Sequence, residues 1–324
     1  MKKNIELIET CSDSGAGTRG AGFASEALYL MAQKDPGNIL NNLLKNTCYI
    51  PFRKGFSSDH ARNIELIYHI CQSISRLVCQ RLTNGAFPVL ISGDHSCATG
   101  TIAGIKMAKP KSRLGVVWID AHADLHSPFT TPSGNMHGMP LAASINEDNL
   151  ALSFKKIDRQ TRYFWEKFKN IGNISPKILP QDIVYISLRD FEKEEASLIK
   201  THGIKAISTQ TIRDCGTPGV VRSILKQLEY CTDIYVSFDT DCLDASVSKG
   251  TGLPVQRGLM PDEAGKLTEM LLESPKAVCF EITELNPFLD INDETTSIIY
   301  QILVKGIRAL SKEKTTEQIS YQIQ

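Results

Sequence analysis

Neither sign of charge dominates this chain: 36 lysines and arginines face 36 aspartates and glutamates. That balance excludes binding of nucleic acid or of an anionic membrane surface through bulk charge, so the expected ligand is a small molecule. No window approaches the ~20 apolar residues of a membrane-spanning helix. Met1-Lys2-Lys3 leads into alternating Asn4-Ile5-Glu6-Leu7 and not into the apolar core of a secretory signal. The chain therefore reads as cytoplasmic. Its nine cysteines are scattered, odd in number and never spaced CxxC, which argues against a disulfide framework and against a zinc-thiolate site. Repeats, low-complexity blocks and linkers are absent too. Residues 1–311 are expected to form a single catalytic domain and 312–324 a polar tail.

What the sequence does have is a set of short apolar runs rich in β-branched residues: Phe87–Ile91, Leu114–Ile119, Ile183–Ser187, Ile234–Phe238 and Ala277–Ile282. Such runs are strands buried on both faces. Helical periodicity fills the intervals Asn63–Leu82, Glu194–His202, Pro218–Cys231 and Pro261–Leu272, and a long helix is expected over Asp293–Leu310. Strands alternating with helices predict an α/β fold with a mostly parallel sheet. Glu147–Pro180, charged and aromatic without a clean period, reads as an insertion or helical flap.

In such a sheet ligands bind beyond the carboxyl ends of the strands. Four of the five runs are followed there by possible metal ligands: Asp94 and His95; Asp120, His122 and Asp124; Asp239 and Asp241; and Glu284. Alternate residues of extended backbone point the same way, so Asp120-x-His122-x-Asp124 is expected to form a chelate that Asp239-x-Asp241 repeats. Singly, each aspartate is as readily a helix cap and His95 a core residue; their conjunction favours metal. Carboxylates and imidazoles without thiolates suit Mn²⁺ better than structural zinc, with Co²⁺ or another divalent ion open. Carboxylates this dense repel unless two dications lie among them, and such a pair can activate a bridging hydroxide. Asp94 and Asp244 read as structural groups or as groups that orient ligands.

With Gly93-Asp-His-Ser96, Asp120-Ala-His-Ala-Asp124, Ser133-Gly-Asn-Met-His-Gly138, Ser237-Phe-Asp-Thr-Asp-Cys-Leu-Asp244 and Glu281-Ile-Thr-Glu-Leu-Asn-Pro287 in this order, the sequence resembles the ureohydrolase family of arginases and agmatinases. The resemblance implies a three-layer αβα sandwich and two manganese ions. His95, Asp120, Asp124 and Asp239 would hold one ion and His122 and Asp241 the other, with Asp120 and Asp239 bridging. It further implies that His137 shuttles protons together with Asp124, that Glu284 holds the guanidinium, and that the protein is a homo-oligomer. The Ser133-Gly-Asn135-Met-His137 loop resembles that of arginases, where it holds an α-carboxylate. L-arginine is thus the expected substrate, cleaved to urea and L-ornithine. His126, Glu192 and Leu253 depart from the commonest arginase pattern, which has Asn, Asp and Thr there. His126 can still donate to a carboxylate, and Glu192 can still meet an ammonium. The alternatives are an agmatinase or another guanidino-acid hydrolase, a metal-binding regulatory protein without catalysis, and a metal-dependent deacetylase of related fold. The deacetylase is disfavoured because the paired histidines of such enzymes are missing.

Overall fold

The architecture follows from where the apolar side chains of each strand can go. A computed structural model describes residues 3–48 and 55–312; the expected polar tail lies almost wholly outside the described residues. Eight strands form one parallel sheet: β1 (Asn4–Thr10), β2 (Leu44–Thr47), β3 (Ala86–Ser92), β4 (Leu114–Ile119), β5 (Ile183–Ile186), β6 (Lys205–Ile207), β7 (Asp233–Asp239) and β8 (Ala277–Thr283), in the order β2-β1-β3-β8-β7-β4-β5-β6. The period of two splits each central strand between two cores. Val117 and Ile119 of β4 join one cluster while Val116 and Trp118 join the other. Both faces must therefore be covered.

On the first face lie α1 (Ala24–Lys34), α7 (Thr209–Gln227), α8 (Pro261–Leu272) and α9 (Glu294–Ser311). The second face carries α2 (Ile64–Thr83), α3 (Ala98–Ala108), α4 (Pro140–Ile145) and α6 (Lys193–His202). These three layers are the expected αβα sandwich. Its sheet is parallel throughout the described residues.

Two sequence expectations need correction. Within Glu147–Pro180 lies a packed helix, α5 (Arg159–Lys169), and not a flap: Phe164, Trp165 and Phe168 are buried against α2 and α4, and Trp165 Nε1 donates to Asp148 Oδ1 at 2.7 Å. The helix expected from Pro218 starts earlier, at Thr209, where Ser208 Oγ accepts from the Thr211 amide. It breaks at Gly216, whose φ of 70° and ψ of 149° are non-helical, and Pro218 restarts it because a fixed φ suits a first helical turn.

Candidate metal centre and substrate pocket

The four central strands β3, β8, β7 and β4 are adjacent, and their carboxyl ends deliver His95, Glu284, Asp239 with Asp241, and Asp120 with His122 and Asp124 into one pocket. His95 Nδ1 lies 3.0 Å from Asp120 Oδ2, 3.2 Å from Asp124 Oδ2 and 3.0 Å from Asp239 Oδ2. Beside this group, His122 Nδ1 lies 2.9 Å from Asp241 Oδ2 and 3.6 Å from Asp120 Oδ1. Asp120 thus stands between two ligand sets.

The geometry is not the simple alternation expected of an extended strand. After Ile119 the chain bends: Asp120 Oδ1 accepts from the His122 amide at 2.6 Å, and Asp124 adopts a φ of 52°. That local turn keeps His122 beside Asp120 and directs its ring to Asp241, while Asp124 faces His95. After β7 a similar turn, with the Asp241 amide donating to Asp239 Oδ1 at 2.8 Å, sends Asp239 to His95 and Asp241 to His122. The short polar side chain of aspartate tolerates such positive φ.

Burial shapes the charges. It disfavours ionised Asp124, and with the neighbouring Asp120 pushes that carboxyl up to about 6. Asp239 and Asp241 are also raised, by burial and by neighbouring carboxylates. At His95 burial opposes the imidazolium, but the surrounding carboxylates outweigh it and raise the group well above its ordinary range. A divalent cation would relieve this crowding of acids, and the donor atoms fit one. His95 Nδ1 and Asp120 Oδ2 are buried and 3.0 Å apart, yet neither has a hydrogen-bond partner. Two inward-facing donor atoms without an aligned proton between them are what a bound cation would satisfy. The oxygen and nitrogen donors form two overlapping triads, His95-Asp120-Asp239 and Asp120-His122-Asp241.

Glu284, at a φ of 62°, folds back beneath His95. Its Oε1 accepts from the His95 amide at 2.9 Å and faces His137 Nδ1 at 3.0 Å, which leaves Oε2 available to a ligand. Burial opposes charge on His137, but Glu284 overrides it and brings the imidazole up to about 9. Asp94 is structural, binding the Gly15 amide at 2.9 Å and the Ser96 amide at 3.0 Å. Asp244 likewise holds the Ser246 and Gly258 amides.

At the outer end of the pocket His126 Nε2 lies 3.0 Å from Glu192 Oε2 and 3.5 Å from Glu195 Oε2. Burial raises Glu195 to about 8, whereas the bond to His126 lowers Glu192 to about 2. Ser133 and Asn135 also line the pocket, as does half-exposed Leu253. The sequence reading missed Glu195, although Glu192-x-x-Glu195 is a capping box opening α6. It also missed Arg189, whose guanidinium donates to the carbonyls of Ser187, Asp241, Leu243, Val255 and Gln256 and so clamps the loop after β7.

A family model described as the arginase family matches residues 3–307. The chain belongs to the arginase family. It is 32% identical over 307 residues to an arginase of Bacillus caldovelox, covering 93% of this chain and 97% of that relative. Identity to the Brevibacillus brevis arginase is 30% over 310 residues, with 94% and 97% covered. The crystal structure of the Bacillus subtilis arginase is similar at a TM-score of 0.81 and 29% identity, covering 97% of this chain and all of that one. This member of the arginase family is a ureohydrolase by that kinship. No helix among its described residues is long and apolar enough to cross a membrane.

Proposed function

We propose that the protein hydrolyses the guanidinium group of L-arginine to urea and L-ornithine, using two Mn²⁺ ions held by His95, Asp120, His122, Asp124, Asp239 and Asp241. The observation that carries this reading is the pair of overlapping donor triads sharing Asp120. When bound, two such ions acidify a shared water and supply a nucleophile near neutral pH. The Glu284 carboxylate accepts the planar guanidinium through charge-assisted hydrogen bonds, for which Oε2 has no partner among the described residues. His137, protonated at neutral pH, holds a proton within the pocket for the departing amine. Asp124, whose Oδ2 lies 3.2 Å from His95 Nδ1, is the carboxylate of the cluster that relays a proton between the two steps.

Ser133 and Asn135 offer polar groups to an α-carboxylate, His126 adds a donor, and Glu192 with Glu195 meets an α-ammonium. Residues 1–311 act as one catalytic unit in the cytoplasm, assembled as a homo-oligomer. Because the outer wall holds two glutamates and, among the described residues, no lysine or arginine lines the pocket, agmatine, which carries a lone amine there, is the competing substrate. The test is urea release by the Mn²⁺-loaded protein from L-arginine, agmatine and guanidinobutyrate side by side. Arginine is expected to give the highest kcat/KM; a higher value for agmatine would reassign the substrate, and no urea from any of the three would refute the hydrolase reading.

A further inference from the structure

Behind His95, on the side away from the carboxylates, a line of buried polar groups runs through the sheet and has no role in the scheme above. His95 Nε2 lies 2.7 Å from Ser237 Oγ. Ser237 stands two residues after Tyr235 on the same face of β7. Tyr235 Oη donates to Glu281 Oε2 at 2.6 Å, and Ser92 Oγ donates to Glu281 Oε1 at 2.6 Å. Ser92, Tyr235, Ser237 and Glu281 are all 0% exposed, and Glu281 pairs in register with Ser237 across β7 and β8.

Direction is built into this line. A carboxylate only accepts, so Tyr235 must donate to Glu281. The Tyr235 oxygen is then left to accept from Ser237, and the Ser237 oxygen to accept from His95 Nε2–H. A proton fixed on Nε2 strips Nδ1 bare, and Nδ1 is the atom that faces Asp120, Asp124 and Asp239. The ring cannot tilt, because Trp118 stacks on it at 4.0 Å with planes 5° apart.

We infer that Glu281 and Tyr235 are positioning residues that set the tautomer and orientation of His95 through Ser237, and thereby the affinity of the one ion His95 holds. The inference rests on the reading of His95 as a metal ligand. It requires that the buried acid act on one ion of the pair, because the set around His122 and Asp241 does not touch this line.

The experiment compares Glu281→Gln and Tyr235→Phe with the parent by equilibrium dialysis against graded free Mn²⁺, with the electron paramagnetic resonance of each sample recorded. Both variants are expected to lose affinity for one ion by about 10- to 100-fold. The other ion should stay bound, so that the coupled-pair spectrum gives way to that of isolated Mn²⁺. Ser92→Ala, which touches Glu281 but lies off the path to His95, should retain both ions. Should Glu281→Gln fail to fold, Tyr235→Phe, which removes one oxygen, decides alone. Parent-like binding of both ions by the variants overturns the inference, as does equal weakening of both ions or the same loss in Ser92→Ala. A parent that takes up no ion overturns the metal reading itself, and the inference with it.

Discussion

At the scale of single residues, the site is a balance between burial and charge. Asp124 has a folded-state value of about 6 against an ordinary 3.8. A raised carboxyl contributes stability that is full below its unfolded value and lost as pH rises through the folded one. Metal-free parent should therefore lose stability relative to metal-free Asp124→Asn between pH 4 and 6, by up to about 3 kcal/mol. Urea denaturation of both proteins across that window checks it; a constant difference would contradict the assigned environment. His137→Asn removes the proton held beside Glu284, and its kcat should fall by about 100-fold with KM little changed, as steady-state urea release would measure. A matching rise in KM with unchanged kcat would place His137 in binding instead.

At the scale of elements, the turns that carry the ligands are as specific as the ligands. Gly134 has a φ of 77°, and a β-carbon there would run into the Asp59 carbonyl. It sits between Ser133 and Asn135, and its own carbonyl receives the Arg62 amide at 2.8 Å. Gly134→Ala should distort that loop without reaching the metal donors, raising KM for arginine several-fold at unchanged metal content; steady-state kinetics with elemental analysis would show both. Arg189→Met leaves five backbone carbonyls without their donor, four of them at half-buried bonds. A loss of about 3 kcal/mol or more in denaturant unfolding is expected.

The same scale explains what the sequence could reveal. β3, β4, β7 and β8 are buried on both faces and read as unbroken apolar runs, so their carboxyl ends and the donors beyond them were legible. β2, with Leu44-Lys-Asn-Thr47, and β6, with Lys205-Ala-Ile207, are short and largely exposed, and they left no apolar signal. Nor did the pattern at Asp120, His122 and Asp124 betray its geometry. Period-two spacing implied one shared face, whereas the His122 amide bond to Asp120 and the positive φ of Asp124 send His122 toward Asp241 and Asp124 toward His95, with Asp120 between them. Arg189 was invisible because most of its partners are main-chain oxygens more than fifty residues away in sequence.

At the scale of the whole molecule, a doubly covered parallel sheet gathers ionisable groups at one edge of its core, and the fold tolerates them at neutral pH through what binds there. Ligands that bind only the folded state stabilise it by mass action, by about 2.7 kcal/mol for each ion at 100 times its Kd. Stripping metal should lower Tm by several degrees, and Mn²⁺ should restore it.

If the proposed function holds, two ions at the carboxyl ends of β3, β4 and β7 generate the hydrolytic activity. Metal-free protein titrated with Mn²⁺, with bound ions counted and urea release from L-arginine measured in the same samples, distinguishes the outcomes. The rate should climb only as occupancy passes from one ion to two per chain, and level off there. Full activity in metal-free protein, or two bound ions with no urea released, would contradict it.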